Sequence, residues 1–157
     1  MPEEITAIIH SFYDSFSKGN VEDMVSHYHP EAEFEDPAFG KLKGEEVRNM
    51  WRMLIKRSKG ELWITFSHVT ATGNTGSARW TAIYPFGPQK RKVTNQIESY
   101  FEFRDGKIIS QKDHFNLVKW AGQALGWKGW VLGWTPIFRK QVQQQSRKML
   151  EKFQSAQ

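Results

Sequence analysis

Close to residue 60 the spacing of apolar side chains changes from a helical repeat to alternation, which limits the folds open to this chain more than any motif does. Before the change, Ile5, Ile8, Ile9, Phe12 and Phe16 recur at helical spacing and predict an amphipathic helix stopped at Gly19. Asn20 is placed to cap a second helix carrying Val21, Met24, Val25 and Tyr28, broken before Pro30. A short strand is expected around Glu33 to Asp36, and Val47, Met50, Trp51, Leu54 and Ile55 predict a third helix ending near Gly60. From Leu62 to about Phe115 the turn signals Gly73-Asn74, Gly87-Pro88 and Asp105-Gly106 divide an alternating stretch into a four-stranded antiparallel meander.

Alternation also assigns faces. Trp80, Ala82, Tyr84 and Phe86 share one side of their strand, as do Ile97, Ser99, Phe101 and Phe103 of the next, and these sides are expected to meet the helices. The opposite positions, Arg79, Thr81, Ile83, Glu98, Tyr100 and Glu102, mix charge with moderate apolarity, which suits a solvated face or a subunit contact; a homodimer through it is expected. Helices followed by a twisted sheet predict an α+β cone, a cystatin-like α+β barrel in which a curved antiparallel sheet wraps around a long helix and leaves a pocket at its open end. A chain of 157 residues, 39% apolar, fits one core. Residues 1–118 are expected to form the cone and residues 119–157 an extension of it.

The net charge of +5 is uneven, because Arg139, Lys140, Arg147, Lys148 and Lys152 against Glu151 place +4 of it after Pro136. The nearly neutral body lacks the basic face and motif of a nucleic-acid reader, and Lys90, Arg91 and Lys92 read as a solvated hairpin tip. Zero cysteines exclude disulfides, thiolate metal sites and a cysteine nucleophile. No histidine pair shows metal-ligand spacing with a carboxylate, so no metal is expected, and His10, His27, His29, His68 and His114 are read as structural or solvated. Without a signal-like start or a spanning apolar run, a cytoplasmic protein is expected.

The stretch FEDPAFGKLKG at residues 34–44 sets Asp36 at the mouth of a strand before a proline turn, where it either caps the turn or faces the pocket. On the last strand, parity turns Asp113 and Phe115 inward and Lys112 and His114 outward. Asp113 either pairs with a cation such as Arg79 or Lys112, or faces the pocket as an acid in an apolar lining. Two carboxyls sharing such a cavity would have raised and separated pKa values, leaving one as base and one as acid.

Taken with the order of elements, the motifs KGN at residues 18–20, FEDP at 34–37, Gly44, ARWTAIY at 78–84 and FEFRDGKI at 101–108, followed by QKDHF, resemble the SnoaL-like branch of the nuclear transport factor 2 superfamily, related to ketosteroid isomerases. The resemblance covers residues 3 to about 118. It implies general acid–base chemistry without a cofactor, by an isomerase, cyclase, dehydratase or hydrolase, on a small apolar carbonyl compound. Asp36 matches the general base of ketosteroid isomerases, whereas their oxyanion-hole tyrosine and protonated aspartic acid are matched by Phe12 and Ser99, which speaks against steroid isomerisation. SnoaL-like cyclases are similar in carrying an acid on the final strand, the place of Asp113. The epoxide-hydrolase arrangement of the superfamily needs an arginine between two acids, and no arginine is placed there by spacing. Phe12, Trp51, Trp80, Tyr84, Ser99, Phe101 and Phe115 are the candidate substrate-binding residues, with the Trp51 N–H and Tyr84 O–H available to orient a carbonyl. The same rings could simply fill the core.

Residues 117–135, LVKWAGQALGWKGWVLGWT, place Trp127, Trp130 and Trp134 beside glycines, the composition of a lid. Beyond Pro136, Phe138, Val142, Met149 and Phe153 line one side of a basic helix. That helix could dock on the domain or make peripheral contact with a membrane. The competing functional reading is therefore a noncatalytic module that holds a lipophilic ligand and delivers it to a membrane or partner.

Overall fold

The computed structural model describes residues 2–157. Helix α1 (Pro2–Ser17) begins with Pro2, followed by Glu3 and Glu4 in its first turn, and buries Ile5, Ile9, Phe12, Tyr13 and Phe16. Gly19, at φ 71°, lets the chain leave the helix, and the Asn20 side chain accepts the Asp23 amide to cap α2 (Val21–Val25). That helix is shorter than its apolar spacing predicts. Tyr28 opens strand β1 (Tyr28–Asp36) instead, and Pro30 lies within the strand. The pairing of β1 with its inner neighbour is irregular between Tyr28 and Glu33, so the missing proline N–H falls where the ladder is already interrupted.

Strand β2 (Gly40–Lys43) folds back on β1, and Gly44 leads into α3 (Glu45–Ser58). The meander follows as β3 (Trp63–Thr72), β4 (Thr75–Phe86), β5 (Arg91–Arg104) and β6 (Lys107–His114). The turns fall at the expected Gly73-Asn74, Gly87-Pro88 and Asp105-Gly106 pairs. The sheet order is β2-β1-β6-β5-β4-β3, open at both ends. The cone is therefore formed by an open sheet and not a closed barrel, and it is mixed: β1 runs parallel to β6, while the other pairs are antiparallel.

The inward faces are those expected from alternation. Ala78, Trp80 and Ala82 of β4 and Ile97, Ser99, Phe101 and Phe103 of β5 are buried, whereas Arg79, Glu98, Tyr100 and Glu102 are exposed. α1 lies against the concave side, and its approach is closest at Gly76, where an added Cβ would stand 2.6 Å from the Ile9 Cδ1. The interior is built from rings. Phe12 makes edge contacts with Tyr13, Tyr28, Trp51 and Phe101, and Trp51 makes them with Phe16, Phe34 and Trp80.

The extension folds as three helices, α4 (Leu117–Leu125), α5 (Trp127–Leu132) and α6 (Pro136–Ser155). α4 packs on β5, where Gln123 accepts the Thr94 amide at 2.7 Å and its carbonyl accepts Arg91 Nε at 3.0 Å. Arg91, read from sequence as part of a solvated tip, thus ties the hairpin to the extension. α6 lies across α3 and the β1–β2 hairpin, with Leu150 and Ser146 buried.

Candidate active site

Asp113 sits on β6 opposite Ser99 of β5, and both side chains are buried. Its Oδ1 accepts the Ser99 hydroxyl at 2.5 Å and Gln111 Nε2 at 3.0 Å. Each of those donors is itself held. Ser99 Oγ accepts Tyr13 Oη at 2.8 Å and Trp80 Nε1 at 2.8 Å. Gln111 Oε1 accepts the Tyr28 hydroxyl, which in turn accepts Trp51 Nε1 at 2.8 Å. Two chains of donors, from three different helices and strands on each side of the core, thus end on a single carboxyl oxygen. Oδ2 has no hydrogen-bond partner among the described residues.

No cation pairs with Asp113 among the described residues. Arg79 instead lies 3.7 Å from Glu98 on the outer face, and Lys112 is exposed there. Burial pushes the Asp113 carboxyl up to about 7, against the pull of the Ser99 and Gln111 hydrogen bonds and with a further push from the charge of Asp36. Burial and the charge of Asp113 also hold the Tyr13 and Tyr28 hydroxyls well above the ordinary phenol range.

Asp36 ends β1 and does cap its turn, with Oδ1 accepting the amides of Ala38 at 2.9 Å and Phe39 at 2.6 Å. Its Oδ2 has no hydrogen-bond partner among the described residues, so the turn uses only half of the carboxylate. Burial raises Asp36 to about 6, opposed by the Phe39 and Ala38 amides and assisted by Glu35. Tyr84 belongs to the same neighbourhood: burial raises its hydroxyl, the Trp120 indole lowers it and the charge of Asp36 raises it. Tyr84 Oη accepts Trp120 Nε1 at 2.7 Å, and Trp120 packs its ring on Phe86, so α4 roofs this end of the cone.

The other sequence candidates are distributed around these acids. Phe12, Trp51, Trp80 and Phe101 are core rings, and Phe115 packs on the same core while half-buried. The Trp51 N–H is committed to Tyr28 and the Trp80 N–H to Ser99, so neither is free to orient a ligand carbonyl. Sequence reasoning missed Tyr13, Tyr28 and Gln111. Tyr13 falls four residues after Ile9 on the buried stripe, and Gln111 shares the inward parity of Asp113, so both could have been found by extending the periods already in use. Two surface depressions lie elsewhere, one on the sheet beside Thr70, Ser77, Tyr100 and Lys112 and one beside Pro2, Ile5 and Phe103, so neither is the pocket expected around Asp36 and Asp113. Among the described residues no cluster of three or more His, Asp or Glu side chains could hold a metal.

A curved, open six-stranded sheet packed against helix α1 has the nuclear transport factor 2 fold. The SnoaL-like domain model matches residues 9–111, and the chain belongs to that family. Solved structures agree on the fold. An LEH-like epoxide hydrolase of M. tuberculosis superposes with a TM-score of 0.63 at 18% identity, covering 83% of this chain and 95% of that one. TerC, co-crystallized with polyporic acid, gives 0.66 at 17% identity, covering 77% and 98%. SalBIII, an epoxide hydrolase/cyclase-like enzyme of pyran ring formation in salinomycin, gives 0.65 at 17% identity, covering 74% and 94%. Comparison with curated proteins finds no match.

Proposed function

We propose that this protein is a small-molecule enzyme of the SnoaL-like type, in which Asp36 is the general base and Asp113 the general acid toward an apolar, carbonyl-bearing substrate. The observation that carries the reading is that two carboxyls, Asp36 half-buried and Asp113 buried, pair with no cation among the described residues and are raised to about 6 and about 7. Near neutral pH the first is mostly ionised while the second retains much of its proton. In the proposed course, Asp36 Oδ2 takes a proton from the carbon beside the carbonyl as Asp113 gives its proton to the developing oxyanion. Return of both protons, at the same or a conjugated carbon, restores the two acids. Tyr84 is a second donor at the mouth, since its own O–H is not used in the bond from Trp120. No arginine bonds either acid among the described residues, which removes support for the arginine-bridged epoxide-hydrolase course.

Because Trp51, Trp80 and Phe34 pack ring against ring beneath the mouth, substrate entry in this reading requires the α4 roof to part from Tyr84. That close packing is also the observation favouring the second reading in its interaction-module form, because a filled interior leaves little room for a lipophilic ligand. Hydrogen–deuterium exchange at the α-carbon of cyclic enones, followed by proton NMR, separates them. Asp36→Asn keeps an oxygen for the Ala38 and Phe39 amides but removes the base, so exchange is expected to fall by about 100-fold or more with folding unchanged. The wild-type rate should rise as pH passes about 6 and fall as it passes about 7, the narrow optimum of a base that must be ionised and an acid that must be protonated. Undiminished exchange in Asp36→Asn would remove the enzyme reading.

A further inference from the structure

The apolar surface of this molecule is concentrated on one short stretch. Trp127, Trp130, Val131, Leu132, Trp134 and Ile137 are between 48% and 75% exposed, on α5, the turn after it and the first turn of α6. The cause is the seam between α4 and α5. An added Cβ at Gly129 would stand 1.9 Å from the Ala121 carbonyl oxygen, and one at Gly133 would stand 3.0 Å from the Val118 Cα. At Gly122 it would strike the Trp130 indole, 2.2 Å away. The two helices therefore meet through glycines and Ala121, and every large side chain of α5 is left on the outside. These glycines make close contact, where the sequence suggested a flexible lid.

The charge within this stretch of chain has one sign. Residues 114–150 contain no aspartate or glutamate and six lysines and arginines. Lys128 reaches over the Trp127 ring at 5.9 Å, the Arg91 guanidinium lies 3.6 Å from the Cβ position of Gly126 where α5 begins, and Lys140 follows exposed Ile137 by one turn. Repulsion between like charges opposes pairing of this patch with its own copy across a two-fold axis. Indoles flanked by cations are the composition that partitions into the headgroup region of an anionic bilayer, where the ring is half solvated and the cation meets lipid phosphate.

We propose that residues 125–137, with Arg91, Lys128 and Lys140, form a peripheral docking surface for anionic membranes. The apolar side of α6 is not the anchor, because Leu150 is buried and Phe153 packs on the core. The surface lies at the end of the chain that roofs Asp36, so a lipophilic molecule would meet the cone from the bilayer side. Docking does not rest on the acid–base reading, and Asp36→Asn is expected to bind vesicles as the wild type does.

The test is co-sedimentation with vesicles of phosphatidylcholine alone or with phosphatidylserine at about a third of the lipid. At about 50 mM salt the protein is expected to bind the mixed vesicles about tenfold more tightly than the neutral ones, with a blue shift of tryptophan emission, and to lose affinity as salt rises. The double variant Trp127→Ser with Trp134→Ser should lower binding about tenfold. Its folding is checked by circular dichroism, which these two exposed positions should leave unchanged. Lys128→Glu with Lys140→Glu should remove the preference for phosphatidylserine. Absence of sedimentation with the mixed vesicles, or equal binding by the double tryptophan variant, overturns the proposal. So does self-association of the wild type that the double variant abolishes, which would assign the patch to a second copy.

Discussion

Asp113 is held by donors and pairs with no cation among the described residues, and that arrangement has a consequence for stability as well as for chemistry. A carboxyl raised from 3.8 to about 7 on folding binds its proton more tightly in the native state than in the unfolded chain. Its contribution is complete below about pH 4 and is lost as pH rises through about 7, with an upper bound of roughly 4 kcal/mol. Asp36 acts in the same direction over a lower range. Asparagine at position 113 can accept both the Ser99 and Gln111 hydrogens while carrying no charge, so Asp113→Asn should flatten much of the fall in stability between about pH 5 and 8 and be the more stable protein at the upper end. Urea unfolding across that range measures it, and parallel pH profiles for the two proteins would show that Asp113 ionises as freely when folded as when unfolded. The inward parity of Asp113 and Ser99 was legible from alternation alone. What alternation could not supply was the pairing behind them, because Tyr13 reaches Ser99, and Tyr28 reaches Gln111, from elements far away in sequence.

At the scale of elements, glycine carries more of the architecture than its composition suggests. Gly129 faces backbone, with a carbonyl oxygen 1.9 Å from its would-be Cβ, whereas Gly122 faces a side chain that can rotate away. Gly129→Ala should therefore separate α5 from α4 at a cost of about 1 to 3 kcal/mol, and Gly122→Ala should cost less and chiefly displace Trp130. Limited proteolysis across residues 117–135 reads the difference, and equal resistance in both variants would mean that the seam is not close-packed in solution. A sequence shows only that glycines alternate with tryptophans, and the distance to a neighbouring carbonyl decides whether that means freedom or contact. The strands were legible for the opposite reason: each meander turn is announced by local pairs such as Gly73-Asn74. β1 was underestimated because Pro30 interrupts its pattern, and its parallel partner β6 begins more than seventy residues later, beyond the reach of any local signal.

For the whole molecule, the question is what α6 holds together. The family match ends at residue 111, yet α6 bridges two parts of the cone that come before it. Arg147 donates to the Lys41 carbonyl at 2.9 Å and lies 3.4 Å from Glu46, Asn49 donates to Gln154 at 3.2 Å, and Lys56 covers the Phe153 ring at 5.9 Å. Gln143 Nε2 meets the Pro37 carbonyl at 3.4 Å, in the same turn whose amides are held by Asp36. A helix used only as a membrane anchor could be removed without cost to the body. A clamp could not. Deleting residues 136–157 strips Leu150 from the core, and loss of one buried leucine alone is worth about 2 to 5 kcal/mol, so the melting temperature should fall sharply. Loosening of the hairpin should appear first at Ala38 and Phe39, whose amides should exchange with solvent faster once Gln143 no longer steadies their turn. The full chain and the truncated one, compared by amide exchange, decide between the roles: unchanged protection at those two amides and an unchanged melting temperature would make α6 an appendage, and joint loss would tie the turn held by Asp36 to the last helix of the chain.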